Sequence, residues 1–136
     1  MDKSSSIRHG RHCISDLKAH LAFVTKYRKD VIDNEVFTLL KNVFHKVCTD
    51  FQCQLIECNH DHDHVHLLVA YPPKVALSHL VNSLKGVSSR LVRKDCPHIT
   101  QKLYKGAFWS ASYYVASCGG ASLETVKAYI LSQNTP

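Results

Sequence analysis

The stretch Cys53-Gln54-Leu55-Ile56-Glu57-Cys58-Asn59-His60-Asp61-His62-Asp63-His64-Val65-His66-Leu67-Leu68-Val69-Ala70-Tyr71-Pro72-Pro73 decides how the chain folds. Cys53 to Cys58 reads as one strand. His64 to Ala70 reads as a stronger one, stopped by Pro72-Pro73, which cannot continue a hydrogen-bonded ladder. Upstream, His20-Leu21-Ala22-Phe23-Val24 is a short apolar run ending in the basic segment Lys26-Tyr27-Arg28-Lys29, a first strand followed by a loop. Ile32, Asp33 and Phe37 fit a hydrophobic staple around an N-cap. Val36, Leu39, Leu40, Val43, Phe44 and Val47 then recur at helical spacing, which predicts a helix over residues 34–49.

Downstream, Leu77, Leu80, Val81, Leu84, Val87 and Leu91 predict a second helix over 75–93, with Gly86 inside it at a cost in propensity. After Pro97, the run Ala107 to Ala116 predicts a strand, broken by Gly119-Gly120. Ser122 is placed to cap a last helix, residues 122–133, with Glu124 in its first turn. Residues 1–15 read as an irregular N-terminal arm. The order is β-α-β-β-α-β plus a C-terminal helix, an α+β chain of the ferredoxin-like (RRM-like) plan with an antiparallel sheet. In that plan the first and third strands are central, so the strand carrying His64 and His66 lies mid-sheet.

Length and composition bound the rest. One domain accounts for all 136 residues. Apolar residues are 45% and charged residues 21% of the chain, a globular balance rather than a disordered one. No apolar run approaches the roughly 18 residues of a membrane span, and the start Met1 to Ser6 has no signal-like apolar core. Six cysteines without a CxxC pair fit reduced thiols and a cytoplasmic location. The formal charge of +6 suits a polyanionic partner.

Histidine is the compositional outlier: His60, His62, His64 and His66 fall within seven residues. Residues i and i+2 of a strand point the same way with Cα atoms about 6.6 Å apart, so two imidazoles can lean toward one divalent ion. Leu67, Leu68 and Val69 anchor that strand. Asp61 and Asp63, with His62, are candidates to hydrogen-bond the ligands from behind. The competing reading is a histidine-rich loop with no metal. Two imidazoles do not fill a coordination sphere, so a further ligand must come from elsewhere. In the last helix Tyr129 and Gln133 lie on one face, about 6 Å apart along the axis. The plainer reading of that pair is scaffolding or surface.

These residues, taken in order, resemble the IS200/IS605-family transposases, the single-tyrosine (Y1) HUH class. The matching blocks are His64-Val65-His66, His20 to Arg28, Phe108-Trp109-Ser110-Ala111-Ser112-Tyr113-Tyr114, and Gly119-Gly120 leading into Ser122 to Ile130. The likeness runs from about residue 12 to Gln133. It implies a prokaryotic enzyme that cleaves and rejoins single-stranded DNA at ends marked by imperfect hairpins. Tyr129 matches the family nucleophile, which forms a 5′-phosphotyrosine. Gln133 matches the third protein ligand beside His64 and His66 for Mg²⁺ or Mn²⁺. Family members act as homodimers, and the tyrosine helix of one subunit can complete the site of the other.

Lys26, Arg28, Lys29, Lys85, Arg90, Arg93, Lys94 and Lys105 are candidate contacts to DNA phosphates. Tyr27 and Tyr104 are candidates to stack on unpaired bases, while Trp109 reads as a core residue. The alternatives to a mobile-element transposase are a domesticated relative cutting repetitive hairpins and a non-catalytic hairpin-binding protein.

Overall fold

The computed structural model describes residues 8–10, 12–117 and 123–132. Gln133, Ser122 and the Gly119-Gly120 break lie outside them. Four strands, β3 (Lys18–Val24), β4 (Gln54–His60), β5 (His64–Ala70) and β6 (Tyr114–Ser117), form one antiparallel sheet in the order β4-β5-β3-β6. Helices α1 (Asn34–Asp50) and α2 (Leu77–Asp95) connect them. A short helix, α3 (Pro97–Thr100), follows α2, and α4 (Leu123–Ser132) follows β6. This is the α+β order expected, with β3 and β5 in the centre.

The two-residue period of a strand divides the sheet into two faces. Ala19, Leu21 and Phe23 of β3 join Val65, Leu67 and Val69 of β5 in the main core with α1 and α2. His20, Ala22 and Val24 point the other way, as do His64 and His66, which are registered opposite Val24 and Ala22. The apolar stripe of α1 buries Val36, Leu40, Val43, Phe44 and Val47; that of α2 buries Leu80, Val81, Leu84 and Val92. Each such side chain contributes roughly 1.5–3 kcal/mol by leaving water.

Local chemistry sets the helix ends. The Asp33 carboxylate accepts the Val36 N–H at 2.8 Å, capping α1 as its sequence predicts. At the other end the Gln52 N–H donates to the Thr49 carbonyl at 2.9 Å and the Cys53 N–H to the Cys48 carbonyl at 2.7 Å. That is a Schellman closure with Gln52 at φ 61° where glycine is usual. The five described cysteines are free thiols, and burial pushes Cys48 up to about 12 and Cys58 up to about 11.

Two segments differ from their sequence reading. Residues 8–15 contain a minimal ladder, β1 (Arg8–His9) paired with β2 (Ile14–Ser15), rather than wholly irregular chain. Of Ala107 to Ala116, only Tyr114 onward joins the sheet; Trp109 makes a single bridge to Thr25. The reason is tertiary. Trp109 is buried and its indole N–H donates to Ser88 Oγ at 2.9 Å, while Phe23 and Phe108 pack edge-on against it. The Lys85 ammonium then draws in the carbonyls of Ser110, Ala111 and Ser112 at 2.7, 3.3 and 3.1 Å. An apolar run thus becomes a pinned loop. Among the described residues no helix is long and apolar enough to cross a membrane.

Candidate active site

The turn between β4 and β5 is built to present His64. The Asp61 N–H donates to the His64 carbonyl at 2.9 Å, and the His62 carbonyl receives the N–H groups of Val31 and Ile32 at 3.2 and 3.0 Å. Asp63 is 2% exposed. Its carboxylate lies 2.8 Å from His64 Nδ1 through Oδ1 and accepts Arg28 Nε–H at 2.9 Å through Oδ2. Its backbone carbonyl accepts from the Thr25 N–H and hydroxyl at 2.9 and 3.2 Å. Burial alone would raise the Asp63 carboxyl, but hydrogen bonds from His64 and Arg28 outweigh it and hold the group below its usual range. An ionised carboxylate accepts only, so it selects the tautomer of a neutral His64 ring that carries the proton on Nδ1 and the lone pair on Nε2.

His66 lies on the same face, its ring centre 4.8 Å from that of His64 and nearly perpendicular to it. Burial, followed by the charges of His64 and His20, pushes its pKa below the ordinary 6.5. It is therefore neutral near pH 7, the state in which imidazole binds metal. A divalent ion suits this donor pair. Among the described residues no three His, Cys, Asp or Glu side chains gather in a way that could hold a metal. Gln133, the amide expected there, lies outside the described residues.

The other histidines of the cluster do not share this face. His60, paired with Val65, turns toward α1 and stacks on Phe37 at 4.0 Å. His62 sits in the turn beside Asp61, its Nδ1 3.0 Å from the carboxylate, which raises the imidazole pKa. The His62 N–H, first, and its ring hold the exposed Asp61 carboxyl down. Of the three residues expected behind the ligands, Asp63 touches His64, while Asp61 and His62 bond to each other.

α4 lies over the imidazole face. Buried Ile130 packs against Val24, the residue registered opposite His64, with Tyr114 and Tyr129 flanking that contact. Tyr114 is opposite Ala22, which in turn is opposite His66. Only the small Ala22 intervenes in that row. Tyr129 is half-buried, its ring 5.5 Å from Tyr114 and its hydroxyl 3.2 Å from Ser112 Oγ. Burial raises the Tyr129 pKa above 10, and the Ser112 hydrogen bond offsets part of that rise. Ser112 and the Lys85 anchor behind it were not singled out from sequence for this role; the only signal was the Trp-Ser block itself.

The candidate DNA cations are dispersed. Lys26 lies over the Tyr27 ring at 5.1 Å, near the His64 turn, and Arg28 is paired with Asp63. Lys85 is engaged by three carbonyls, and burial lowers its pKa. Lys85, Arg93 and Lys105 line a shallow groove over Phe108 and Trp109. Arg90 faces a different cleft, beside Lys46 and Asp50. Lys94 is exposed at the end of α2, and Lys29 is half-buried.

Comparison with known proteins identifies the family. The family described as "Transposase IS200 like" matches residues 13–133. The chain is 30% identical to the ISDra2 transposase TnpA of Deinococcus radiodurans, over 94% of this chain and 91% of that protein. It is 29% identical to the transposase for insertion sequence element IS200 of Salmonella typhimurium, over 88% and 76% of the two chains. A crystal structure of a Deinococcus radiodurans transposase superposes with a TM-score of 0.88 at 30% identity, over 96% of this chain and all of that one. A REP-associated tyrosine transposase bound to a REP hairpin shares the fold at 11% identity and a TM-score of 0.58, over 90% and 67%. On the family match and the near-complete alignments together, the chain belongs to the IS200-like transposases, the single-tyrosine HUH class that acts on single-stranded DNA.

Proposed function

We propose that this transposase cleaves and rejoins single-stranded DNA at hairpin-marked element ends through a 5′-phosphotyrosine on Tyr129. The observation that carries the reading is the docking of α4 on the face that presents His64 and His66, through Ile130 on Val24. His64, His66 and Gln133 would hold the Mg²⁺ or Mn²⁺. Bound there, the cation stabilises charge developing on a non-bridging phosphate oxygen.

Tyr129 Oη attacks phosphorus, and the bond from phosphorus to the 3′ oxygen breaks. The phenol loses its proton as the leaving oxygen gains one, giving a free 3′-OH. Rejoining runs the same exchange in reverse with a 3′-OH as nucleophile, so the phosphodiester energy is kept and no nucleotide cofactor is consumed. Ser112 orients the phenol, and Asp63 orients His64. The working unit is a homodimer, as in the enzymes the sequence resembles, and light scattering of the purified protein reads it directly.

The reading is tested with a labelled hairpin oligonucleotide, Mg²⁺ or Mn²⁺, and a denaturing gel. The wild-type protein yields a cleaved strand and a protein–DNA band that chelator prevents. Tyr129→Phe keeps hairpin binding and loses the band. Replacement of His64 or His66 by Ala abolishes metal-dependent cleavage. Hairpin binding with no covalent band under any divalent ion would instead identify a binding protein without catalysis.

A further inference from the structure

From the joining of two loops behind His64, we infer that Arg28 is a positioning residue for the metal-binding imidazole rather than a contact to DNA. This inference rests on the reading of His64 as a ligand. The Arg28 Nε–H holds one oxygen of the Asp63 carboxylate at 2.9 Å while the other oxygen faces His64 Nδ1 at 2.8 Å. A carboxylate fixed at both oxygens cannot rotate. The imidazole it faces is therefore fixed in orientation and tautomer, with Nε2 turned outward. The Asp63 side chain is 3% exposed and that of Arg28 24%, so water competes weakly for the pair.

The backbone supplies a second, independent observation. Tyr27 and Arg28 are consecutive non-glycine residues in the left-handed region, at φ 59° and 53°. L-residues adopt this conformation at a cost, and it persists where surrounding contacts over-determine it. Those contacts are present. The Arg28 N–H donates to the Thr25 carbonyl at 2.9 Å, the Lys26 N–H to Phe108 at 2.9 Å, and the Thr25 hydroxyl to the Lys29 carbonyl at 2.8 Å. The tightly turned loop returns the Arg28 side chain to the β4–β5 turn, where Thr25 and Ile32 also bind. A cation meant to track a flexible strand has no need of that constraint.

The test uses the full chain, ¹⁵N-labelled and metal-free, with Arg28→Ala and Arg28→Gln beside the wild type. Long-range ¹H–¹⁵N spectra read the His64 tautomer, and backbone spectra of the same samples verify folding. Binding of Mn²⁺ alone is followed by electron paramagnetic resonance, and hairpin DNA affinity is measured in chelator. In the wild type His64 carries its proton on Nδ1. In Arg28→Ala the tautomers mix and Mn²⁺ affinity falls about 10–100-fold, the usual effect of losing an outer partner of a metal ligand. Arg28→Gln, which keeps a donor, falls between them, and hairpin affinity in chelator stays within about threefold, the loss of at most one phosphate contact. An unchanged His64 tautomer and Mn²⁺ affinity in folded Arg28→Ala would overturn the inference. Such a result with a large loss of hairpin affinity would return Arg28 to the DNA contacts. If the spectra and Mn²⁺ binding change as expected while wild-type protein forms no covalent band, the transposase chemistry fails and the positioning role stands.

Discussion

Asp63 is a single buried carboxylate that decides what His64 can do. It accepts on one oxygen from a guanidinium and on the other from an imidazole. Asp63→Asn offers an amide N–H where the carboxylate accepted, which favours the tautomer with the proton on Nε2, and metal affinity is expected to fall about 10–100-fold. Isothermal titration with Mn²⁺ measures it; wild-type affinity in Asp63→Asn contradicts the assignment. Tyr129 gives the pH dependence. Its pKa lies above 10, so through neutral pH the phenolate is the minor form and grows about tenfold per pH unit. His66, pushed below 6.5, is already neutral over that range. The single-turnover rate of adduct formation therefore rises with a log slope near one between about pH 6.5 and 9. A flat profile means that proton loss from Tyr129 is not limiting. At this scale the meeting of His64 and His66 on one face was legible from an i, i+2 spacing, whereas the partner of Asp63 was not. Arg28 lies 35 residues away, and a basic residue in a basic protein reads equally as a DNA contact.

At the scale of elements, period and caps were strong guides. Alternation in β5 separates Val65, Leu67 and Val69 from His64 and His66, and Asp33 caps α1 where a staple was visible. The segment 107–113 was misread because its apolar residues serve a tertiary site. Trp109 bonds Ser88 and Lys85 captures three carbonyls, both more than twenty positions away, and local pattern carries no trace of such partners. His60 was ambiguous for a similar reason. A hairpin, not a continuous strand, separates it from His64, so it faces α1 and stacks on Phe37. One element-scale prediction follows from α2. A Cβ added at Gly86 meets nothing within 4 Å. Gly86→Ala is thus expected to stabilise the fold by about 0.4–1 kcal/mol, by lowering unfolded-state entropy and raising helix propensity. Denaturant unfolding reads the shift, and a lower midpoint contradicts an open, regular helix there.

For the whole molecule, the sheet is the device that brings distant sequence to one face. β5 supplies the imidazoles, β3 and β6 supply Val24 and Tyr114, and α4 seats Ile130 and Tyr129 on them. The element order was legible from the sequence. The contacts that seat the last helix depend on register across three strands, which no single segment encodes. Charge acts at this scale too. With a net charge of +6, binding of a single-stranded hairpin flank should release counterions. Four phosphate contacts would weaken binding about 50-fold between 50 and 200 mM salt. A slope near zero would show that the dispersed cations do not form a phosphate-tracking surface.

In the proposed reaction the phenol on α4 becomes the covalent carrier of the cut strand. The most direct measurement is peptide mass spectrometry of the protein after reaction with cognate hairpin DNA and Mg²⁺, followed by nuclease trimming. A nucleotide adduct is expected on the peptide containing Tyr129, absent from the Tyr129→Phe protein and from chelated reactions. An adduct on another residue, or strand cleavage by Tyr129→Phe at the wild-type rate, contradicts it.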